Sequence, residues 1–377
     1  MEDFSLLTTL PRRGTHCVKY DAPNVDADVI CAGVADMDFQ IPKQAREAII
    51  SLGEYGIFGY TVGMEDRDWT TICHWLRDQR DWQVEKEWML YSPGVIPSLR
   101  AAVRAVTQEG DPIVIEPPVY PPFFGVIRDA RRTVVESRLD KIDGHWQRNW
   151  DRLEKALQGA KAMILCSPHN PIGRVWTLEE QERLAQLLIK YDVTLICDEI
   201  HADLTMPGVK HISIAKLPGM EERTITAFAP TKTFNLAALH ISTVLTQRED
   251  WRKALAEQLN WFGGPTVVAQ EAQRSCYLHG LPWLEQLRRK LDQNNRILVD
   301  ALNESGFPCT PLEGTYLVWG DMSRLGKKGD ELTQFMTNTG RIFTQSGEPF
   351  GSPEYLRFNS ATDTDTVKEM ARRIKRL

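Results

Sequence analysis

Short apolar runs alternate with longer amphipathic stretches through the middle of this chain. Residues 88–91 (WMLY), 113–116 (IVIE), 162–166 (AMILC), 193–197 (VTLIC), 224–228 (TITAF) and 241–246 (ISTVLT) are four to six residues long. Each is bounded by Gly, Pro, Asp or other turn formers, the pattern of buried strands. Between them, residues 66–82, 98–108, 177–190, 250–261 and 265–279 carry apolar positions at helical spacing. In 66–82, Trp69, Ile72, Cys73 and Leu76 share one face; Thr177 with Glu180 makes a capping box. Pro42 opens a further helix over 41–52. Regular strand–helix alternation predicts an α/β sheet covered by helices on both faces. A long helix over 282–304 then leads to strands at 316–319 and 355–358 and a last helix over 364–376, a smaller α+β domain. Residues 1–44 are loop-like, with a strand at 28–32 and a turn at 34–39. The expected division is 1–44 joining the small domain, 45–280 as the large domain, and 281–377 as the C-terminal small domain.

With 377 residues, the chain exceeds one typical core, which is why two domains are expected. A net charge of −6 with no long basic tract argues against a nucleic-acid surface. No apolar run approaches the roughly 18 residues of a membrane span, and the N-terminus lacks the basic-then-apolar order of a signal peptide. Seven cysteines without a C-x-x-C pair suit a reduced, cytoplasmic protein. Asp36 and Asp38 have no histidine at ligand spacing, so no metal site is expected. Dinucleotide, P-loop and nucleophile-elbow motifs are absent.

The chemistry gathers at strand ends. Lys232 follows the run 224–228, with Pro230 between them. Burying an ammonium is costly, so such a lysine is paired, snorkelling, or kept neutral as a nucleophile or base. The run 193–197 ends in Asp198-Glu199-Ile200-His201. Strands of a parallel sheet converge at their carboxyl ends, so Asp198 and Lys232 can face one ligand. Pyridoxal phosphate needs that pair, a lysine for its aldehyde and an acid for its pyridinium proton. Ser167–Gly173 (SPHNPIG) forms another strand-end loop, and Gly94, Val95 and Ile96 stand between a strand and a helix, where backbone N–H groups meet a phosphate. Arg357, in a short late strand, suits a carboxylate. Four prolines between 117 and 122 stiffen the backbone around Tyr120, which either fills a corner or projects into a site.

From about Arg13 onward the chain resembles the fold-type I pyridoxal phosphate enzymes, the aspartate aminotransferase superfamily. Within it, the chain looks like the cystathionine β-lyase-like C–S lyases (the MalY/PatB branch). The resemblance rests on Gly14-Thr15-His16, Val34-Ala35-Asp36-Met37-Asp38-Phe39, Phe58-Gly59-Tyr60-Thr61, Pro118-Val119-Tyr120, Ser167–Gly173, Asp198–Asp203 and Thr231-Lys232-Thr233-Phe234-Asn235. It implies a mostly parallel seven-stranded sheet and a homodimer whose active site is shared. Lys232 would bind the cofactor aldehyde and act as base, Asp198 would stay ionised beside the ring N–H, and Tyr120 would stack on the ring. Asn170 would meet the ring hydroxyl, with His201 near the same edge or serving as a structural histidine. Tyr60 would reach the neighbouring subunit's phosphate; Ala35 and Asp36 would border the substrate, and Arg357 with Asn170 would hold its carboxylate. Tyr120 or the partner subunit's Tyr60 would help the leaving sulfur.

The expected activity is β-elimination from an S-substituted cysteine to a thiol, pyruvate and ammonia. Transamination, a decarboxylating or oxidatively deaminating variant, and a cofactor-binding regulatory protein stand as alternatives. Three departures from the superfamily matter. Ala229 stands where a serine often reaches the phosphate, and His240 where an arginine often does. Cys31-Ala32-Gly33 replaces a bulkier lead-in, which predicts a wider pocket and a substrate larger than cystathionine.

Overall fold

The computed structural model describes residues 3–260 and 263–377. Its centre is a seven-stranded sheet. Across it the order is Met89–Ser92, Ser242–Leu245, Thr224–Phe228, Thr194–Asp198, Ala162–Cys166, Pro112–Ile115 and Thr133–Glu136. Only Ser242–Leu245 runs against its neighbours. Four of the inner strands are buried along their whole length or nearly so, and side chains alternate between two cores. Ile113, Ile115, Ile164 and Ile196 pack with helices Val95–Val106, Pro122–Asp129 and Glu249–Leu259. Val114, Met163, Leu165, Leu195 and Cys197 pack on the other face with helices Trp150–Leu157 and Leu178–Lys190. A period of two buried on both faces is why these runs read as continuously apolar.

The expected elements are present with shifted ends. The helix expected over 98–108 begins at Val95, because Pro97 falls in the first turn, where N–H groups have no intrahelical partner to lose. Gly94 is therefore the N-cap. The proline-rich stretch after Pro117 passes into a helix, Pro122–Asp129, for the same reason. Thr133–Glu136, the seventh strand, lies half-exposed at the edge and carries too short an apolar run to register as a strand. Thr177 caps Leu178–Lys190 with the expected box, its hydroxyl accepting from the Glu180 amide at 3.2 Å. The helix expected over 250–261 is Glu249–Leu259, and its expected last residue lies outside the described residues.

Leu281–Glu304 is a 24-residue helix, long enough to span about 36 Å. Its first half (Leu284, Leu287, Leu291) packs with Phe228, Phe234 and Trp75. The second half (Leu298, Val299, Leu302) packs with Val318, Leu356 and Ile374 around a three-stranded antiparallel sheet, Leu317–Asp321, Tyr355–Asn359 and Gln345–Ser346. Ile30–Cys31 pairs in parallel with Ile342–Phe343, so the start of the chain joins that end of the molecule. Among the described residues, no helix is long and apolar enough to cross a membrane.

Candidate active site

The central strands stop in register. Cys166 is paired with Asp198, and Asp198 with Ala227. At these carboxyl ends opens a cavity of about 470 Å³ lined by Asp198, His201, Lys232, Asn170 and Tyr120, with Gly94, Val95, Ile96, Ala35 and His240 around it. Residues from across the sequence thus meet because parallel strands deliver their following loops to one edge. Lys232 sits in a single helical turn, Pro230–Thr233, and its Nζ donates to the Ala35 carbonyl. Asp198 is buried, and its Oδ1 accepts the Ile200 amide at 3.0 Å.

Arg357 is buried beside this cavity. Its Nη1 donates to Asn170 Oδ1 at 3.1 Å and Nη2 to the Gly33 carbonyl at 3.1 Å. The Asn170 side-chain oxygen is thus taken by Arg357, and its backbone amide donates to Cys166 Sγ at 3.4 Å. His240 stands exposed at the rim in the left-handed region, φ 51°. Two expected residues are elsewhere. Asp36 does not line the cavity, because Arg12 grips both its oxygens at 2.9 and 2.8 Å. Tyr60 is fully exposed, in a separate hollow with Arg67, Gln270 and Glu271. Nor does the segment 31–33 open the pocket: Cys31 and Ala32 are buried, and a Cβ on Gly33 would come within 3.3 Å of Phe343.

Burial sets the electrostatics. It pushes Asp198 up to about 7, against the opposing Ile200 hydrogen bond. Lys232 is pushed down to about 8 by burial and then by Arg357, and Arg357 itself down to about 10 by burial. His201 falls to about 3 through burial, with Lys232 and Arg357 adding to it, so its imidazole is neutral. Lys232 and Arg357 crowd one another, with the charges of Asp36 and Asp198 only partly offsetting this at Lys232.

Sequence reading missed Thr231, which lines the cavity immediately before Lys232 and offers the hydroxyl that Ala229 lacks. The Thr-Lys dipeptide was the available signal. It also missed Tyr316, a buried side chain whose hydroxyl donates to the Ala35 carbonyl at 3.0 Å, the acceptor Lys232 uses. Nothing in a lone strand tyrosine marks it.

Pyridoxal phosphate fits this donor set. His201 Nδ1 and Arg357 Nε are buried without partners, Lys232 and Arg357 donate only to neutral acceptors, and Asp198 accepts only the Ile200 amide. A phosphate, a carboxylate-bearing substrate and a ring N–H would supply the missing partners. The helix Val95–Val106 points its first residues, Val95 and Ile96, at the cavity, where free N–H groups suit a phosphate. Among the described residues, no group of three His, Cys, Asp or Glu is placed to hold a metal.

A family model described as aminotransferase class I and II matches residues 28–374. Cystathionine beta-lyase PatB of Bacillus subtilis is 33% identical over 377 residues, covering 97% of this chain and 97% of that protein. Protein MalY of Escherichia coli is 30% identical over 373 residues, covering 96% and 94%. Among solved structures, cystalysin from Treponema denticola, which contains pyridoxal 5'-phosphate, superposes with a TM-score of 0.94 at 30% identity, covering 100% of this chain and 98% of that one.

Proposed function

The chain belongs to the aminotransferase class I and II family and takes pyridoxal 5'-phosphate as its cofactor, and from that premise we propose that it is a carbon–sulfur β-lyase. Its substrate is an S-substituted cysteine, cystathionine or a bulkier thioether conjugate, converted with water to a thiol, pyruvate and ammonia. The observation that carries this reading is the convergence of Lys232, Asp198, Asn170 and Tyr120 on one cavity, with Arg357 bonded to Asn170 behind them. Relatives named as cystathionine β-lyases support the lyase class. When bound, pyridoxal phosphate supplies an aldehyde for amino groups and a protonated ring that withdraws electrons from the substrate's α-carbon.

The protein's own residues do the rest. Lys232, with its affinity for protons lowered to about 8, is neutral often enough near neutral pH to take the α-proton. Asp198 holds a proton at the ring nitrogen. Arg357 and the side-chain amide of Asn170 grip the α-carboxylate and fix which bond at Cα faces the amine. Tyr120 covers the ring, its hydroxyl kept protonated by burial, and Thr231 with Gly94, Val95 and Ile96 receives the phosphate. Neutral His201 donates or accepts without adding charge. The wall of Pro93, Val95, Ile96, Pro97 and Ile241 is apolar and suits a thioether arm.

Tyr60 belongs to an exposed apolar stretch with Tyr55, Ile57, Phe58 and Val62. On this reading a second copy covers it, and Tyr60 enters that copy's site. The same reading divides the chain at 1–44, 45–280 and 281–377, supported by the pairing of Ile30–Cys31 with Ile342–Phe343.

The test is an assay of the cofactor-loaded protein on a panel of S-substituted cysteines. Release of pyruvate and thiol without added keto acid is expected. Product that forms only when a keto acid is supplied would replace the lyase with an aminotransferase, and cystathionine as the clearly best substrate would remove the bulkier conjugate. Tyr120→Phe is expected to slow thiol release while cofactor absorbance stays intact.

A further inference from the structure

Behind the cavity lies a second layer of buried charge that the proposed reaction does not touch. Arg80, the last residue of helix Asp66–Arg80, is buried. Its Nε and Nη2 donate to Asp203 Oδ1 and Oδ2 at 3.0 and 3.2 Å, and Nη1 reaches Glu199 Oε2 at 3.4 Å. Both carboxylates come from the segment that follows the strand Thr194–Asp198. That segment is polar on two sides. Asp198 and His201 face the cavity, whereas Glu199 and Asp203 face Arg80. Glu199 also accepts the Ser213 hydroxyl at 2.6 Å and lies 3.3 Å from His211.

Asp203 also has a partner in the lysine-bearing turn. Its Oδ2 accepts the Thr233 hydroxyl at 2.9 Å, and Thr233 is the neighbour of Lys232 in the four-residue turn Pro230–Thr233. A single turn has little stability of its own. Its backbone closes through the Phe234 amide to the Pro230 carbonyl at 2.8 Å and the Leu236 amide to the Thr231 carbonyl at 2.9 Å. The Thr233 bond differs from these because it reaches across to another strand end and because its acceptor is a charged group, which makes it the stronger kind. Trp75 Nε1, at 3.3 Å, and Arg80 hold that acceptor in place.

We propose that Asp203 is a positioning residue: fixed by Arg80, its carboxylate ties the acid-bearing segment 198–203 to the lysine-bearing turn through Thr233, and so sets where the Lys232 amine sits relative to Asp198. The proposal rests on the roles given to Lys232 and Asp198 above. It assigns Arg80, Asp203 and Thr233 no contact with cofactor or substrate. Their effect passes through the placement of two groups that do touch them, and a misplacement of about 1 Å can cost as much as a hundredfold in rate.

Thr233→Val keeps the shape and removes the hydroxyl; Thr233→Ser keeps the hydroxyl. With the cofactor-loaded protein, the pH midpoint of the visible absorbance reports the amine that binds the cofactor. In Thr233→Val that midpoint is expected to move by about half a unit or more. The kcat on an S-substituted cysteine is expected to fall about tenfold with KM within about twofold, the mark of an interaction that matters in the transition state. Thr233→Ser is expected to restore both, at an unchanged melting temperature. A valine variant with wild-type midpoint and kcat overturns the proposal. So do losses that serine leaves unrescued, or losses that merely track a fall in melting temperature. A wild-type protein that binds no cofactor and shows no visible band removes the lyase reading along with it, whereas a normal wild-type band beside an unaltered valine variant removes the positioning role alone.

Discussion

Two segments bring polar groups to the same cavity and are held there in different ways. Residues 198–203 are fixed by buried charge, with Arg80 between Glu199 and Asp203. Residues 33–39, which carry the Ala35 carbonyl, are fixed through several donors at once: Arg12 on Asp36 and Asp38, Lys19 on Asp38, and bonds to their own backbone. Asn235 donates to the Met37 and Phe39 carbonyls at 2.9 and 2.8 Å and accepts the Met37 amide at 3.0 Å. Asn359 donates to the carbonyls of Val34 and Asp36, both at 2.6 Å, and Arg357 to that of Gly33. The first arrangement hangs on one buried cation between two carboxylates, and the second is divided among the ion pairs of Asp36 and Asp38 with Arg12 and Lys19 and many bonds to backbone groups. Loss of one member should therefore be felt far more in the first.

The largest expected effect follows from that contrast. Arg80→Ala leaves Glu199 and Asp203 buried without their cation, and breaking such a pair costs about 3–5 kcal/mol. Denaturant unfolding should show that loss. If the change costs less than about 1 kcal/mol, the charge is not what holds this segment, and the contrast fails on its stronger side.

Asp198 sharpens the same point from within the charged segment, because its burial favours chemistry at the expense of stability. Burial raises it from its ordinary 3.8 to about 7. Between those values the folded chain keeps a proton that the unfolded chain releases, so the stability it contributes is full below about pH 3.8 and lost as the pH climbs to about 7. Asp198→Asn never bears that loss. The cofactor-free variant should be more stable than the wild type at pH 8, by at most about 4 kcal/mol, with the difference vanishing below pH 4. It should also retain the cofactor poorly. A variant less stable than wild type at pH 8 would mean that Asp198 has a partner in the empty site.

For residues 33–39 the expected losses are smaller. Asn235→Ala removes three hydrogen bonds and puts a less tolerant residue at φ 60°. At about 1 kcal/mol per bond, with some recovered by water at this half-buried place, the loss should be about 2 kcal/mol. A loss as large as that of Arg80→Ala would erase the distinction between the two segments.

The same contrast explains what sequence could show. Charges at the end of an apolar run, or inside a short one, stand out, so Asp198, Lys232 and Arg357 were visible as candidates, and the alternation of runs and amphipathic stretches carried the fold. The edge strand Thr133–Glu136 escaped because half its positions face solvent, and the helix start lies at Val95 because Pro97 is tolerated in the first turn. Asp36 was placed beside the substrate by resemblance alone; the folded chain brings Arg12 onto its carboxylate, while its charge still acts on Lys232. Thr231 and Tyr316 escaped because neither residue type is unusual in a loop or a strand. Backbone acceptors such as the Ala35 carbonyl have no sequence signature at all, since every residue carries one. Their donors stand far away in the chain, at 232, 235, 316 and 359.

Tyr316 gives the smallest expected effect. Its hydroxyl shares the Ala35 carbonyl with Lys232 Nζ, so in Tyr316→Phe that acceptor keeps a donor and no buried polar group is orphaned. The ring still packs against His201, with centroids 6.2 Å apart. What is lost is one neutral hydrogen bond, about 1 kcal/mol or less, and cofactor affinity should stay within about twofold. Denaturant unfolding and a cofactor titration measure both. If Tyr316→Phe instead costs as much as Asn235→Ala, then one bond carries the segment 33–39, and its stability is concentrated in a single donor much as that of residues 198–203 is concentrated in Arg80.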